Sequence, residues 1–536
     1  MSKARKLKRI FDKMKSNRTN EDTTWQEVAR WVRPDKYNIF NRQQNVQTKG
    51  EERHQRVYDQ TAEHSNELLA SALQSLLTPS TQHFFEYTTG NPLTNKIPRV
   101  RKYLQDVEAV VHEILNNSNF HSETHSNYLD IPSFGTTVLW MEEDDETNVR
   151  FRAEPIFTHY IDEDENKVIK RVGFIKKMKV VNAFRKYGME AFGDQAKKLG
   201  KDLDKEIEIL CILMDRKDVE QYALDSEGNR YTSYHIYLDK DIVLAEYGYS
   251  EFPVAVPRWY KTSGEIYGRS PAMKALPETR YLNQLKRVTI RAAQKATDPP
   301  LAIQDDGVLG RVNLRPGGLT SVRQSGRDNN PIQPIMSGSR PDIGQEAINA
   351  ARQEIRQAFY VDQLQMPLQD RMTTVEVNVR DEDRIRLLAP LIGRLNVEWL
   401  AVIVARVTAI AERNGLLPGD VPPELEGVAP KVFFKSQIAR AQRMMESQNL
   451  TQWIMGVGEL AQLWPEAAMV PDIDKYVRKQ ADLQGVDLDV VKSEQEVQAL
   501  QQQQLEQMQQ QQQAEQGVQE SEAVKNVAQA AQAVGG

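Results

Sequence analysis

The sequence predicts an α+β chain, mainly helical, folded in more than one packed region. Three observations predict it. Apolar residues recur at helical spacing over most of the chain, and a run of short strands interrupts them between residues 136 and 238. Two amphipathic helices then flank a stretch rich in Gly, Pro and Arg from 301 to 339. At 536 residues the chain exceeds what a single core organises, so roughly two to four packed regions are expected.

Composition narrows the function. Hydrophobic residues make up 40% and charged residues 27%, as in an ordinary folded protein. The formal charge of -6 excludes a general polyanion binder, and a sequence-specific DNA reader would carry a strong basic stripe. Mean hydropathy is -0.60, much of it owed to a glutamine-rich C-terminus. Cys211 stands alone, so neither an intrachain disulfide nor a cysteine metal site can form, which fits a reducing compartment. The basic N-terminus MSKARKLKRIFDKMK lacks a following apolar region and does not read as a secretory signal. The most apolar stretch, Leu395 to Ile410, is broken by Glu398 and Arg406 and does not read as a membrane span.

The elements follow in order. Helices are expected to about Leu77, from Trp25, Val28, Ala29 and Val32 and again from Leu68, Leu69, Ala72, Leu73, Leu76 and Leu77. Lys3, Arg5, Lys6, Lys8 and Arg9 decorate the leading helix, as a solvated face or as a DNA contact. Pro98 to Asp130 is helical again. Strands are expected at Thr136 to Met141, Val149 to Ala153, Val168 to Met178, Glu206 to Met214 and Tyr231 to Leu238, parted by charged turns. Ser270 caps a helix that opens on Pro271, runs to about Thr297 with a kink expected at Pro277, and stops at Asp298, Pro299 and Pro300. Strand-like fragments LAIQ and LTSVRQ precede a second helix from Pro341, with Ile343, Ala347, Ala351, Ile355, Ala358 and Phe359 in one stripe.

After the loop DQLQMPLQDRM, Thr373 and Glu376 match a capping box. A long helix is expected from Thr374 to Asn414, kinked at Pro390 and closed by Gly415. Beyond a Pro-rich linker, shorter helices run to about Val491, one marked by Trp453, Ile454, Val457, Leu460 and Leu463. Ten of the 13 residues from Gln501 to Gln513 are glutamine. With Val497, Leu500, Leu505 and Met508 interspersed, this tail reads either as a helix ordered by neighbouring copies or as a disordered tract.

Catalytic signatures are weak. His121, Glu123 and His125 resemble a zinc-protease helix, but that order needs Glu directly after the first His, and Ser122 stands there. No P-loop sequence occurs. Acidic pairs such as Asp144 with Asp145 and Asp305 with Asp306 sit in turn-like contexts and read as solvated turns, not a two-metal nuclease site. Neither an enzyme nor a cofactor is expected.

The order of elements resembles the portal, or head-to-tail connector, proteins of short-tailed bacteriophages. The residues that carry it are FHSETHSNYLDIPSFGTTVLWMEED from Phe120 to Asp144, YGRSPAMKALPETRYLNQL from Tyr267 to Leu285, and MTTVEV from Met372 to Val377. DRIRLLAPLIGRLNVEWLAVIVARV, ending at Val407, and the turn NGLLP complete the set. The resemblance runs to about Asp472; the glutamine-rich tail follows no fixed pattern. It implies a portal fold assembled into a ring: wing 1–269, stem helix 270–297, clip 298–340, second stem helix 341–361 and tunnel loop 362–373. A long kinked wing helix and linker follow at 374–429, a crown at 430–491, and a helical barrel or disordered tail at 492–536.

The resemblance further implies a dodecamer at the capsid vertex of the virion, assembled in the host bacterial cytoplasm. Its partners would be double-stranded DNA, the terminase motor, major capsid and scaffolding proteins and a tail adaptor, with no membrane. Twelve helices packed about 10 Å apart close a circle of roughly 120 Å, leaving a lumen on the order of 28 Å. A B-form duplex about 20 Å wide passes. A conduit must not grip, and twelve copies at -6 total -72, so a neutral or repulsive passage is expected. Gln363, Gln365 and Gln369 in the tunnel-like loop offer neutral contacts, and Arg371 either forms one positive ring or only caps the loop. Arg311, Arg315, Arg323 and Arg327 in the clip bind acidic partners or pair between subunits. The alternatives are a tail or scaffold component without a gated channel and a DNA-processing enzyme.

Overall fold

The leading helix forms where its apolar stripe predicts. In the computed structural model α1 (Lys3–Trp31) buries Leu7, Phe11 and Met14 in its first half and Trp25, Val28 and Ala29 in its second. Described are residues 3–36, 57–91, 93–216, 229–299, 301–304, 313, 315, 318–322, 332–334, 341–364, 388–425, 427, 430–435, 437–484, 497 and 502–503. The chain divides into two units, Met1–Ser436 and Gln437–Gly536.

In the first unit α2 (Thr61–Leu77) precedes β1 (Phe85–Thr88), and α3 (Pro98–Asn117) and α4 (Phe120–Phe134) follow. β2 (Val138–Asp144) and β3 (Asn148–Glu154) form a hairpin, with β9 (Val254–Ala255) on the other side of β2. Between them lies an antiparallel five-stranded sheet in simple sequence order. It comprises β4 (His159–Glu163), β5 (Ile169–Lys179), β6 (Glu206–Asp215), β7 (Tyr231–Tyr237) and β8 (Ile242–Tyr249). The first half of α1 covers one face, where Leu7, Phe11 and Met14 meet Tyr160, Leu210, Ile212, Met214 and Ile236. α5 (Val180–Tyr187), a short turn and α6 (Ala196–Leu199) cover the other, with Phe192 against Ile207, Ile209 and Cys211. Covered on both sides, β6 is apolar without alternation from Ile209 to Met214.

Three basic residues at the start of α1 meet acids of this sheet and of its β7–β8 turn. Lys3 bonds Glu246 at 2.6 Å, and Lys8 and Arg5 reach Asp241 at 3.0 and 3.7 Å. Acids of the same chain engage these cations, which weighs against a DNA contact.

The main core gathers α2, α3, α4 and the β2–β3 hairpin around α10 (Leu388–Arg413). Before α10 come α7 (Pro271–Thr297), β10 (Leu301–Gln304), β11 (Leu319–Val322), β12 (Ile332–Pro334), α8 (Pro341–Ala358) and α9 (Val361–Leu364). By length and composition α10 could cross a membrane. Its Leu395, Trp399, Ile403, Val407 and Ile410 instead lie fully buried in the core, and buried Arg406 pairs with Glu143 and Glu251. The helix continues through Pro390, and its irregularity is a π turn at Asn396–Leu400. Gly415, at φ +66°, closes it as expected. The capping box at Thr373 and Glu376 lies outside the described residues. β13 (Lys431–Phe434) pairs antiparallel with β1, matching Phe85 to Phe434.

Among the described residues, the second unit contains two longer helices, α11 (Gln437–Leu463) and α12 (Ile473–Gln484). Gln480 on α12 donates to Ser447 Oγ at 2.6 Å and Thr451 Oγ1 at 3.0 Å on α11. Trp453, Leu460 and Leu463, three residues of the stripe that marks this helix, are exposed.

Candidate functional site

The feature that stands out is the hairpin of α7 and α8 with a small sheet between them. β10 pairs parallel with β11 and antiparallel with β12, so the stretch between the helices folds as its own three-stranded module. α7 starts where its sequence dictates. Ser270 Oγ accepts from the Met273 N–H at 3.0 Å and donates to the Ser133 carbonyl at 2.7 Å, while Pro271 fills the first helical position. The helix stays unbroken through Pro277.

The root of α7 is a backbone-to-backbone contact between the segments SFGTT and YGRSP. A Cβ on Gly268 would lie 2.2 Å from the Gly135 carbonyl oxygen, and one on Gly135 would lie 2.1 Å from that of Gly268. Only glycine fits either place, and Gly135 also sits at φ +75° as the cap of α4. Around them the Gly268 N–H donates to Thr136 Oγ1 at 2.8 Å and Trp25 Nε1 to the Phe134 carbonyl at 2.9 Å. Arg258, 2% exposed, locks the same root to the π turn of α10. It meets Glu398 at 2.8 and 3.1 Å and Glu163 at 2.9 Å.

Higher on the hairpin, Asp59 joins three helices. Its Oδ1 accepts from the Thr61 N–H at 2.9 Å at the start of α2. Its Oδ2 accepts from Lys286 of α7 at 3.1 Å and from Arg352 of α8 at 3.0 and 2.8 Å. Burial favours the neutral acid, but the bonds from Thr61, Arg352 and Lys286 outweigh it and bring the carboxyl down to about 2. Asn283 holds the strand of chain before α2, accepting from the Tyr58 and Asp59 N–H groups at 2.8 and 3.2 Å. A cleft of about 380 Å³ opens beside Asp59, Lys286, Arg352 and Arg356.

Of the candidate residues, Gln363 lies on α9, partly buried, behind buried Val361. Arg315 is exposed in a turn, where its N–H donates to Asn313 Oδ1 at 3.2 Å. Gln365, Gln369, Arg371, Arg311, Arg323 and Arg327 lie outside the described residues. Asp59, Arg258 and Arg352 were not singled out from sequence. A buried acid or arginine on a turn carries no local signal of its partners.

His121, Glu123 and His125 serve three separate partners: Asn116, the Ala153 N–H and Gln74. A different group, His83, Glu108 and His112, brings ligand-type atoms within 4.8 Å of one another. Its valences are already occupied. His112 Nε2 accepts from the Phe84 N–H at 3.2 Å and Nδ1 faces the Glu108 carbonyl at 2.9 Å, while Lys435 holds the Glu108 carboxylate at 2.8 Å. The His112 ring is stacked between Phe85 and His83 at 4.0 and 4.1 Å, and burial pushes its pKa down to about 4. A metal would have to displace an ammonium and a backbone N–H, so the group reads as packing that fastens β1 to α3.

The chain is 26% identical over 509 residues to a portal protein of Salmonella phage epsilon15, covering 93% of this chain and 90% of that one. It is 24% identical over 492 residues to a probable portal protein of Bordetella phage BPP-1, covering 90% and 87%. Among solved structures, the neck of an empty GTA particle computed with C6 symmetry aligns at a TM-score of 0.36 and 13% identity, over 73% of this chain and 86% of that one. Residues 4–491, which include both segments of the α7 root, match the family of bacteriophage head to tail connecting proteins, and the chain belongs to that family.

Proposed function

We propose that this chain is one subunit of a phage portal, a ring at the capsid vertex through which double-stranded DNA enters the head and later leaves it. The observation that carries the reading is the α7–α8 hairpin. It is a long helical pair fixed at one end by the Gly135–Gly268 contact and Arg258 and closed at the other by a three-stranded module. In this reading α7 and α8 are the stem, residues 298–340 the clip and residues before 270 the wing. Residues 362–373 are the tunnel loop, 374–429 the long wing helix with its linker, and 430–491 the crown, with residues 492–536 as its extension. The names of the two phage relatives support the assignment.

Twelve such stems close a lumen on the order of 28 Å, wide enough for a duplex. The terminase motor and the tail adaptor dock on the clip, and capsid and scaffolding proteins surround the wing. The chain acts by shape and charge, with no catalytic step. Negative-stain imaging of purified protein tests it: rings with a central hole are expected, and monomers, rods or metal-dependent DNA cleavage would overturn it. Removing residues 362–373 is expected to leave rings intact while packaging or retention of DNA falls. Normal packaging by those rings would refute the loop assignment.

A further inference from the structure

We infer that the arginine-bearing flank of α7 docks against the amide- and carboxylate-bearing flank of α8 on a second copy of this chain. Arg287 of one copy then faces Glu346 of the next. The inference rests on the ring reading above and names the partner surfaces within it.

Helical spacing separates the two flanks. On α7 the residues turned away from α8 are Arg280, Gln284, Arg287 and Arg291, all exposed. On α8 the residues turned away from α7 are Glu346, Asn349, Gln353 and Gln357, also exposed. One side of the hairpin is cationic; the other carries amides with Glu346 as its carboxylate, and Arg356 lies beside Asn349 and Gln353 at its edge. Arg280 is paired to Glu27 of α1 at 2.8 Å. Arg287, Arg291 and Glu346 make no ion pair with another described residue. Val288 and Ile290, 52% and 39% exposed, border the cationic flank and give it apolar surface to bury. A groove of about 660 Å³ runs beside it, lined in part by Trp31, Tyr58, Gln284 and Arg287.

The heights match as well. Gly344 lies against Thr289, since a Cβ there would come within 2.9 Å of the Thr289 hydroxyl. The helices are antiparallel, so two residues from that crossing, about 3 Å along the axis, bring Arg287 and Glu346 level on opposite flanks. By the same count Gln284 is level with Asn349, and Arg280 with Gln353. Rotation about an axis parallel to the hairpin leaves height unchanged, so each residue of one flank arrives opposite its complement on the neighbour. An interface of two different flanks closes into a ring when the rotation closes. A guanidinium facing a carboxylate and amides can bond in its plane with both. DNA phosphate is the other anion an arginine flank could take, but it leaves Glu346 and the amides level with those arginines without a role.

The full-length chain carrying Arg287→Cys and Glu346→Cys, treated with a short bis-maleimide, is expected to give a ladder of covalent multimers. Each single-cysteine variant gives none beyond a dimer, and buried Cys211 does not contribute. Because the two positions lie on opposite flanks, a link within one chain is excluded. R287E and E346K should each raise the concentration needed for assembly roughly tenfold, and the two together should restore it. Wild-type rings that neither cross-link nor respond to the swaps overturn the flank pairing and leave the portal reading standing. A wild-type chain that forms no ring overturns both. R287E rings that assemble normally but bind duplex DNA with a lower salt slope assign the arginine flank to DNA and overturn the inference.

Discussion

Asp59→Asn tests whether one buried carboxylate holds the hairpin to the body of the first unit. Asp59 is 3% exposed and its carboxyl is drawn from 3.8 to about 2. A displacement of nearly two pH units corresponds to about 2.5 kcal/mol favouring the ionised group in the folded state. The amide keeps the shape and the Thr61 contact but loses the charge that holds Lys286 and Arg352. Those side chains are 31% and 34% exposed and rehydrate when released, which holds the expected cost to about 2 kcal/mol. A chain of two units need not unfold in one step, so a local probe is preferable to a global midpoint.

Hydrogen exchange along α8 should therefore speed up roughly 30-fold in D59N. The pH dependence has a defined sign. The folded pKa is depressed, so the contribution is fully present above about 4 and is lost as pH falls toward 2; D59N should lack that acid response. Exchange in α8 within about twofold of wild type would refute the account.

Three further outcomes follow from the geometry. Gly268→Ala places a methyl group against the fixed Gly135 carbonyl and should cost on the order of 3 kcal/mol or abolish soluble expression, read by urea unfolding; a shift below about 0.5 kcal/mol would show that the root yields. Arg258→Met leaves Glu163 to Lys261 and Glu398 to the more distant Arg394 and should cost about 2 kcal/mol, whereas pairing it with Glu398→Gln should recover part of the loss in the same assay. Burial lowers His112 and His235 to about 4 and His159 to about 3, so only the unfolded chain takes up these protons as pH falls below 6.5. Stability should drop toward about 4 kcal/mol per pH unit between 6.5 and 4, and a urea midpoint unchanged from pH 7 to 5 would contradict the buried neutral histidines.

Local signals made the elements legible and nonlocal ones stayed hidden. The cap at Ser270 and Pro271 placed α7, short strand-like runs parted by charged turns placed the strands now seen as β2, β3, β5, β6 and β7, and the stripe from Ala347 to Phe359 placed α8. β1 and β13 escaped because each is four residues long and becomes a strand only by pairing across the chain, Phe85 with Phe434. β4, β8 and β9 were not read, nor were α5 and α6. No local pattern marked the π turn at Asn396–Leu400, whose Glu398 serves Arg258, a partner 140 residues away.

The sequence by itself determined that two amphipathic helices flank a turn-rich module, because helical period, capping and Pro/Gly stops all act within a few residues. It also determined which segments, SFGTT and YGRSP among them, carry the family's pattern. Only the tertiary structure decided what those segments are for. Two glycine backbones touch where no side chain fits, and one aspartate gathers a hydroxyl, a lysine and a guanidinium from three helices. The level placement of Arg287 and Glu346 on the two hairpin flanks likewise became visible only once α7 and α8 were set in register. Contact and burial depend on residues far apart in the chain, and no local pattern encodes which of them will meet.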